Sequence, residues 1–188
     1  MSTLTRNQQL LIGGFLLLAM ILTRGGLVNH IQDMSWAVFF IAGFYLRKYI
    51  AFPVFFLAAL AVDLVVIKVQ GGDNYCFTPS YAMLVPAYFS MWFAGRWLST
   101  NYREDARGLL NLAGAAIIGT AACFLISNAG FYAFSGRFGE MSMLEYVSHV
   151  DQYMPMYMQT TLLYVGAAAL LHVAVGQTRK LTGHSSHS

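Results

Sequence analysis

Apolar runs separated by short polar or basic breaks fill this chain almost from end to end. Their spacing predicts six transmembrane helices, at about 8–23, 35–47, 51–68, 81–98, 109–132 and 156–176. The first run, Leu10 to Leu22, closes on Thr23, Arg24, Gly25 and Gly26. That exit lacks the small-x-small pattern of a cleavage site, so the segment is read as a retained helix rather than a secretory signal. The second and third spans share the stretch Ser35 to Val66, broken only by Arg47 and Lys48. Two adjacent cations at mid-membrane would cost about 2.5–3.5 kcal/mol each. A hairpin turning at Arg47-Lys48-Tyr49 avoids that cost, and Pro53 then falls early in the third helix, where a missing donor matters little. Gly114, Ala115 and Gly119, and later Gly166 to Ala169, are small enough to let helix backbones approach. Residues 1–182 thus read as one six-helix membrane domain, with 183–188 as a disordered Ser/His tail.

Composition sharpens this into a fold class, an all-α integral membrane protein. Hydrophobic side chains make up 57% of the 188 residues and charged ones 10%, against roughly 25% charged in a soluble domain. Mean hydropathy is +0.56. Six spans of ~21 residues leave too little chain for an appended soluble catalytic domain. A net charge of +3 is too small to argue for nucleic acid, but its placement fixes a topology. Eight basic residues (Arg6, Arg47, Lys48, Arg96, Arg103, Arg107, Arg179, Lys180) fall on one side of the expected bundle. Three, Arg24, Lys68 and Arg137, fall on the other. The excess places both termini in the cytoplasm. The varied loops at about 24–34, 68–80 and 133–155 then face outward, where they would surround a binding pocket open to the periplasm.

Four features could carry chemistry. Cys76 lies in Gln70-Gly-Gly-Asp-Asn-Tyr-Cys-Phe-Thr-Pro-Ser-Tyr81, where glycines release the chain from the helix and Pro79 stiffens its return. A thiolate held there is a soft metal ligand and a nucleophile; an inert thiol and a disulfide with Cys123 are the alternative readings. Asp63 sits inside an apolar run, where a carboxylate needs a polar cavity or a partner on a neighbouring helix. Six of the eleven tyrosines (Tyr75, Tyr81, Tyr132, Tyr146, Tyr153 and Tyr157) fall in or beside the outer loops. They suit an interfacial aromatic belt, and equally the rim and face of a large flat ligand. Finally, Met141, Met143, Met154, Met156 and Met158 cluster near His149. Thioethers with a histidine suit Cu(I); Leu144, Val147 and Val150 at helical spacing suit an amphipathic lid resting on the bundle. His172, towards the inner end of the last helix, reads as a hydrogen-bonded core histidine.

Several classes are excluded. No phosphate-cradling Gly-x-x-x-x-Gly-Lys-Ser/Thr loop is present, so no nucleotide is bound by that route, and there is no H-E-x-x-H motif. No base at readable spacing accompanies Cys76 for a nucleophilic enzyme.

The stretch Asp73-Asn-Tyr-Cys-Phe-Thr-Pro-Ser-Tyr81 runs on through Leu84-Val-Pro-Ala-Tyr88 to Trp92-Phe-Ala-Gly-Arg-Trp97. It resembles the BtuM family of cobalamin transporters, as do Arg6-Asn-Gln-Gln-Leu-Leu-Ile-Gly-Gly14 and Ser35-Trp-Ala-Val-Phe-Phe40. The likeness is close over residues 6–100 and looser beyond. Such proteins are similar to the six-helix substrate-binding S components of energy-coupling-factor transporters. The resemblance implies a multi-pass protein of the bacterial inner membrane that binds cobalamin from the periplasmic side and takes it up. It implies that Cys76 ligates the corrin cobalt, and that Asp63 and Tyr81 line the pocket. His30 and Arg137, in the outer loops, and Tyr75 beside the cysteine complete the expected contacts. Thiolate ligation would compete with an upper ligand, so loss of cyanide from cyanocobalamin is expected as an ancillary activity. One departure concerns the first helix. Ala19 is flanked at four-residue spacing by Phe15 and Thr23, not by the Ala-x-x-x-Ala surface with which S components dock on an energising module. That favours a solitary transporter. The alternatives are an S component for another vitamin, which works with such a module, and a methionine-rich copper-binding membrane protein.

Overall fold

The computed structural model describes residues 4–26, 31–46, 48–70 and 78–184, with Gln70 and 178–184 as backbone only. Its elements are α1 (Arg6–Arg24), α2 (Ser35–Tyr45), α3 (Ala51–Gln70), α4 (Leu84–Thr100), α5 (Ala106–Phe134), α6 (Met143–Val150) and α7 (Met154–His184). Among the described residues there is no strand. Each expected apolar run forms a helix, with ends shifted by a few residues. Four helical stretches are long and apolar enough to cross a membrane: Arg6–Arg24, Ala51–Val69, Ala106–Phe134 and Met143–Gln177. By contrast, α2 has 11 residues and rises only about 16 Å, short of the ~30 Å hydrocarbon thickness. Of the expected tail, Gly183 and His184 belong to α7, and 185–188 lie outside the described residues.

Local chemistry explains where the helices begin. Thr5 opens α1 with a reciprocal capping box, its Oγ1 accepting from Gln8 N at 3.3 Å and its N–H donating to Gln8 Oε1 at 2.9 Å. Asp105 caps α5 by accepting from Gly108 N at 2.9 Å, and Ser142 caps α6 through Glu145 N at 3.3 Å. The four prolines all fall within the first three residues of a helix: Pro53 in α3, Pro86 in α4, Pro155 in α7, and Pro79 at the head of a 3-10 turn, Pro79–Met83. The first turn has no intrahelical acceptor for its N–H groups, so none of them breaks the ladder. Pro86 therefore lies at the start of a helix and does not interrupt a span.

The bundle is organised around its shortest helix. Ala37, Val38, Phe39, Phe40 and Ala42 of α2 are all buried, and α2 packs against α1, α3, α4 and α7. A helix apolar on every side belongs inside a bundle. The outer helices show the reverse of a soluble protein, with large apolar side chains exposed. Leu11 and Phe15 of α1, Val65 of α3, Ile118 and Leu125 of α5, and Leu163 of α7 all face outward, as lipid requires.

The tightest crossing joins α2 to α4. A methyl group placed on Gly43 would collide with the Trp92 carbonyl, and one on Gly95 with the Phe40 carbonyl. Two glycines thus let two backbones touch from both sides. The sequence expectation had placed close approach elsewhere. Gly119 does meet Ala94 of α4, whereas a methyl on Gly114 or Gly166 would meet nothing within 4 Å. Gly114 and Gly166 therefore do not serve close packing as expected, because no neighbouring side chain or backbone comes within reach of a methyl group there.

A paired substitution tests this. Gly95→Ala is expected to cost about 1–3 kcal/mol through overpacking. Gly114→Ala should be neutral, or stabilising by up to ~1 kcal/mol through helix propensity. Thermal unfolding in detergent would separate the two, and equal midpoints would contradict the crossing described above.

Candidate functional site

Charges of opposite sign meet at one end of the bundle, where α1 closes. Arg24 ends α1, where a cation also suits the negative end of the helix dipole. Its Nε donates to Asp63 Oδ1 at 2.6 Å and its Nη2 to Asp63 Oδ2 at 2.7 Å. This is the fork-on-carboxylate geometry that makes arginine pairs directional. The side chains are only 11% and 22% exposed, respectively. Intramembrane charges are tolerated when paired in this way.

The remaining Arg24 nitrogen gathers the neighbouring helices. Nη1 donates to Tyr88 Oη on α4 at 2.8 Å, to Ser35 Oγ at the head of α2 at 3.1 Å, and to Asp33 Oδ2 at 3.2 Å. Asp33 in turn accepts from the Ser35 N–H at 2.9 Å and the Ser35 hydroxyl at 2.6 Å, which starts α2. Thr23 adds a further tie, its Oγ1 accepting from Met34 N at 3.2 Å. One guanidinium therefore holds α1, α2, α3 and α4 at a single point.

Tyr81 completes the cluster. It sits in the 3-10 turn before α4, its N–H bonded to Thr78 O at 2.9 Å, and its hydroxyl donates to Asp63 Oδ2 at 2.6 Å. The return of the chain from the 71–77 segment is thereby pinned to the Arg24–Asp63 pair. Both oxygens of Asp63 are occupied, so this carboxylate positions its neighbours.

Of the six residues singled out in the sequence, the structure brings Asp63 and Tyr81 together. Arg137 lies apart on the exposed turn after α5, its N–H on Ser135 Oγ at 3.3 Å. His30, Tyr75 and Cys76 lie outside the described residues, and so does any link between Cys76 and Cys123. Cys123 itself is fully buried in α5. Sequence reasoning counted Arg24 as an outer-side charge and passed over Asp33, Ser35 and Tyr88. A signal existed: Arg24 and Asp63 are unlike charges that each fall towards the same end of an expected span.

The outer aromatic residues are largely engaged with one another. Tyr157 stacks on Trp36 with centroids 4.6 Å apart. Tyr132 and Tyr146 pack at 5.0 Å, each also against Phe138. The Tyr132 hydroxyl donates to Met141 O at 2.8 Å. The expected amphipathic helix forms as α6, but its seat differs from expectation. Tyr146 is the buried residue at 4% exposure, while Leu144 stands 82% exposed. Tyr146 reaches Asn128 of α5 with its hydroxyl, at 3.3 Å, so the ring rather than the leucine stripe faces the bundle.

The opposite end carries its own polar groups. The Tyr45 hydroxyl and His172 Nδ1 are 2.7 Å apart, so His172 is hydrogen-bonded as expected, but it is half-buried on a cavity wall and not in the core. Asp105 has its carboxyl held below the usual carboxylate range, first by the Gly108 N–H and then by Arg103. A cavity of about 670 Å³ opens at this end, between α2, α4, α5 and α7. Among the described residues, no group of three His, Cys, Asp or Glu side chains is placed to hold a metal ion.

Removing one partner of the outer pair would strand a charge in a poorly hydrated site. Arg24→Met and Asp63→Leu are each expected to cost about 3–5 kcal/mol, and the double variant less than their sum. Chemical unfolding in detergent reads this, and strictly additive losses would refute the coupling. No family model matches this chain and no curated protein does, so its functional reading rests on its own residues.

Proposed function

We propose that the chain is a multi-pass transporter of the bacterial inner membrane that captures cobalamin on its periplasmic side and takes it up. In this reading it has six spans with both termini cytoplasmic. The short α2 crosses at the centre of the bundle, with residues 31–34 leading into it. Cys76 ligates the corrin cobalt from one face, and Tyr75, His30 and Arg137 contribute contacts from the outer loops.

The observation that carries the proposal is the hydrogen bond from Tyr81 to Asp63, 2.6 Å long, itself locked by Arg24. A cobalt ligand must be presented at a fixed height above the bundle, and this cluster anchors the segment that follows Cys76. It also divides the labour. Asp63 is committed to Arg24 and Tyr81, which leaves the thiol as the metal ligand and the carboxylate as a positioning residue. A thiolate is a soft donor suited to a transition metal. As it takes an axial position, cyanide leaves with its bonding pair and the cobalt keeps its oxidation state. The resemblance of residues 73–97 to cobalamin transporters points the same way.

The decisive measurement is the absorption spectrum of protein purified after growth with cobalamin. A stoichiometric corrin band is expected, shifted from that of the free vitamin in the wild type and lost or unshifted in Cys76→Ala. Colourless protein that also fails to bind added cobalamin would overturn the proposal. A spectrum of bound cyanocobalamin identical to the free vitamin would exclude cyanide loss. Tyr81→Phe should keep the spectral shift but weaken binding about ten-fold, the effect of ~1.4 kcal/mol; unchanged affinity would remove Tyr81 from its anchoring role.

A further inference from the structure

The cavity at the inner end has features unlike a water-filled vestibule. Its walls are mostly apolar, among them Phe44, Leu98 and Leu112, with the Tyr45–His172 pair on one side. Leu109 of α5, and Leu170 and Val173 of α7, line it and also stand exposed on the outer surface of the bundle. The cavity therefore opens sideways between α5 and α7, at faces that a spanning helix presents to hydrocarbon. Beside it lies a second cavity of about 500 Å³, which shares Tyr102 and Arg103 with the first. Its wall holds Asn101, Arg103, Arg107 and Asn111 and no carboxylate. Two carboxylates, Glu104 and Asp105, line the first cavity beside Arg103; Asp105 pairs with Arg103 at 2.9 Å, whereas no ion pair to Arg107 occurs among the described residues.

An apolar slot open to the bilayer, continuous with a donor-rich basic pocket, matches one kind of molecule in shape and charge. We propose that this end of the protein binds a single anionic phospholipid, one acyl chain lying between α5 and α7 and the headgroup phosphate against Arg107. Basic pockets between membrane helices at the cytoplasmic side recognise such headgroups through their charge, and the apolar chain gains from a ready-made slot. The site is independent of the cobalamin reading, since it shares no residue with the Arg24 cluster.

The wild-type protein can be tested directly in nanodiscs containing a phosphatidylglycerol with a photoactivatable acyl chain. Cross-linked peptides are expected from 109–112 and 165–177. Adducts confined to the outward faces around Leu125 and Leu163 would overturn the proposal. Gly166→Phe fills the slot without a clash, because a Cβ there meets nothing within 4 Å. That variant should retain at least ten-fold less phospholipid by native mass spectrometry. Arg107→Ala should still retain lipid but lose its preference for phosphatidylglycerol over phosphatidylcholine. Equal retention by Gly166→Phe and wild type, or an unchanged headgroup preference in Arg107→Ala, would refute the site.

Discussion

A charge inside a membrane protein must find its counter-charge, and here that requirement sets the arrangement of four helices. Arg24 and Asp63 are 39 residues apart, and their bidentate contact fixes α1 against α3. The same guanidinium reaches Ser35 and Tyr88, so α2 and α4 are brought to that point as well. Helix packing in lipid has little hydrophobic drive to distinguish one rotation of a helix from another. A directional ion pair supplies the distinction: turning α3 by half a turn would bury Asp63 against hydrocarbon, at a cost far above that of any repacked leucine.

The glycine crossing supplies what the ion pair cannot. At the Arg24 cluster, geometry is set by polar directionality; at Gly43 and Gly95 it is set by the absence of side chains. Aromatic rings fill the space between these two points, with Phe39 4.7 Å from Tyr88 and Phe52 6.0 Å from Trp92. The short central helix is thus fixed at one end by charge and near the other by backbone contact.

Much of this was legible in the sequence, and the reasons for the rest are physical. Apolar runs gave every long helix, because a bilayer demands continuous hydrophobicity and the breaks at Arg24, Lys48 and Asn101 are unambiguous. Asp63 announced itself as a carboxylate within an apolar run, and Tyr81 was singled out by the family resemblance. What stayed hidden was partnership. Arg24 looked like one more flanking cation, since a linear pattern does not say which helices adjoin. The helix-packing glycines were misjudged for the same reason: Gly114 and Gly43 look alike until a neighbour is in place. Leu144 and Val147 share a helical face, but periodicity alone did not say whether that face turns to protein or to lipid.

The close contact of α2 with α4 has a mechanical consequence. Two helices whose backbones touch through glycines cannot slide or rotate past each other without colliding carbonyls, so they behave as one stiff strut. There is no such interlock at Gly166 or Gly176 of α7, where a methyl group would meet nothing within 4 Å. A rearrangement at the His172 end would move α7 against a strut that keeps its shape, and the Arg24 cluster would remain assembled.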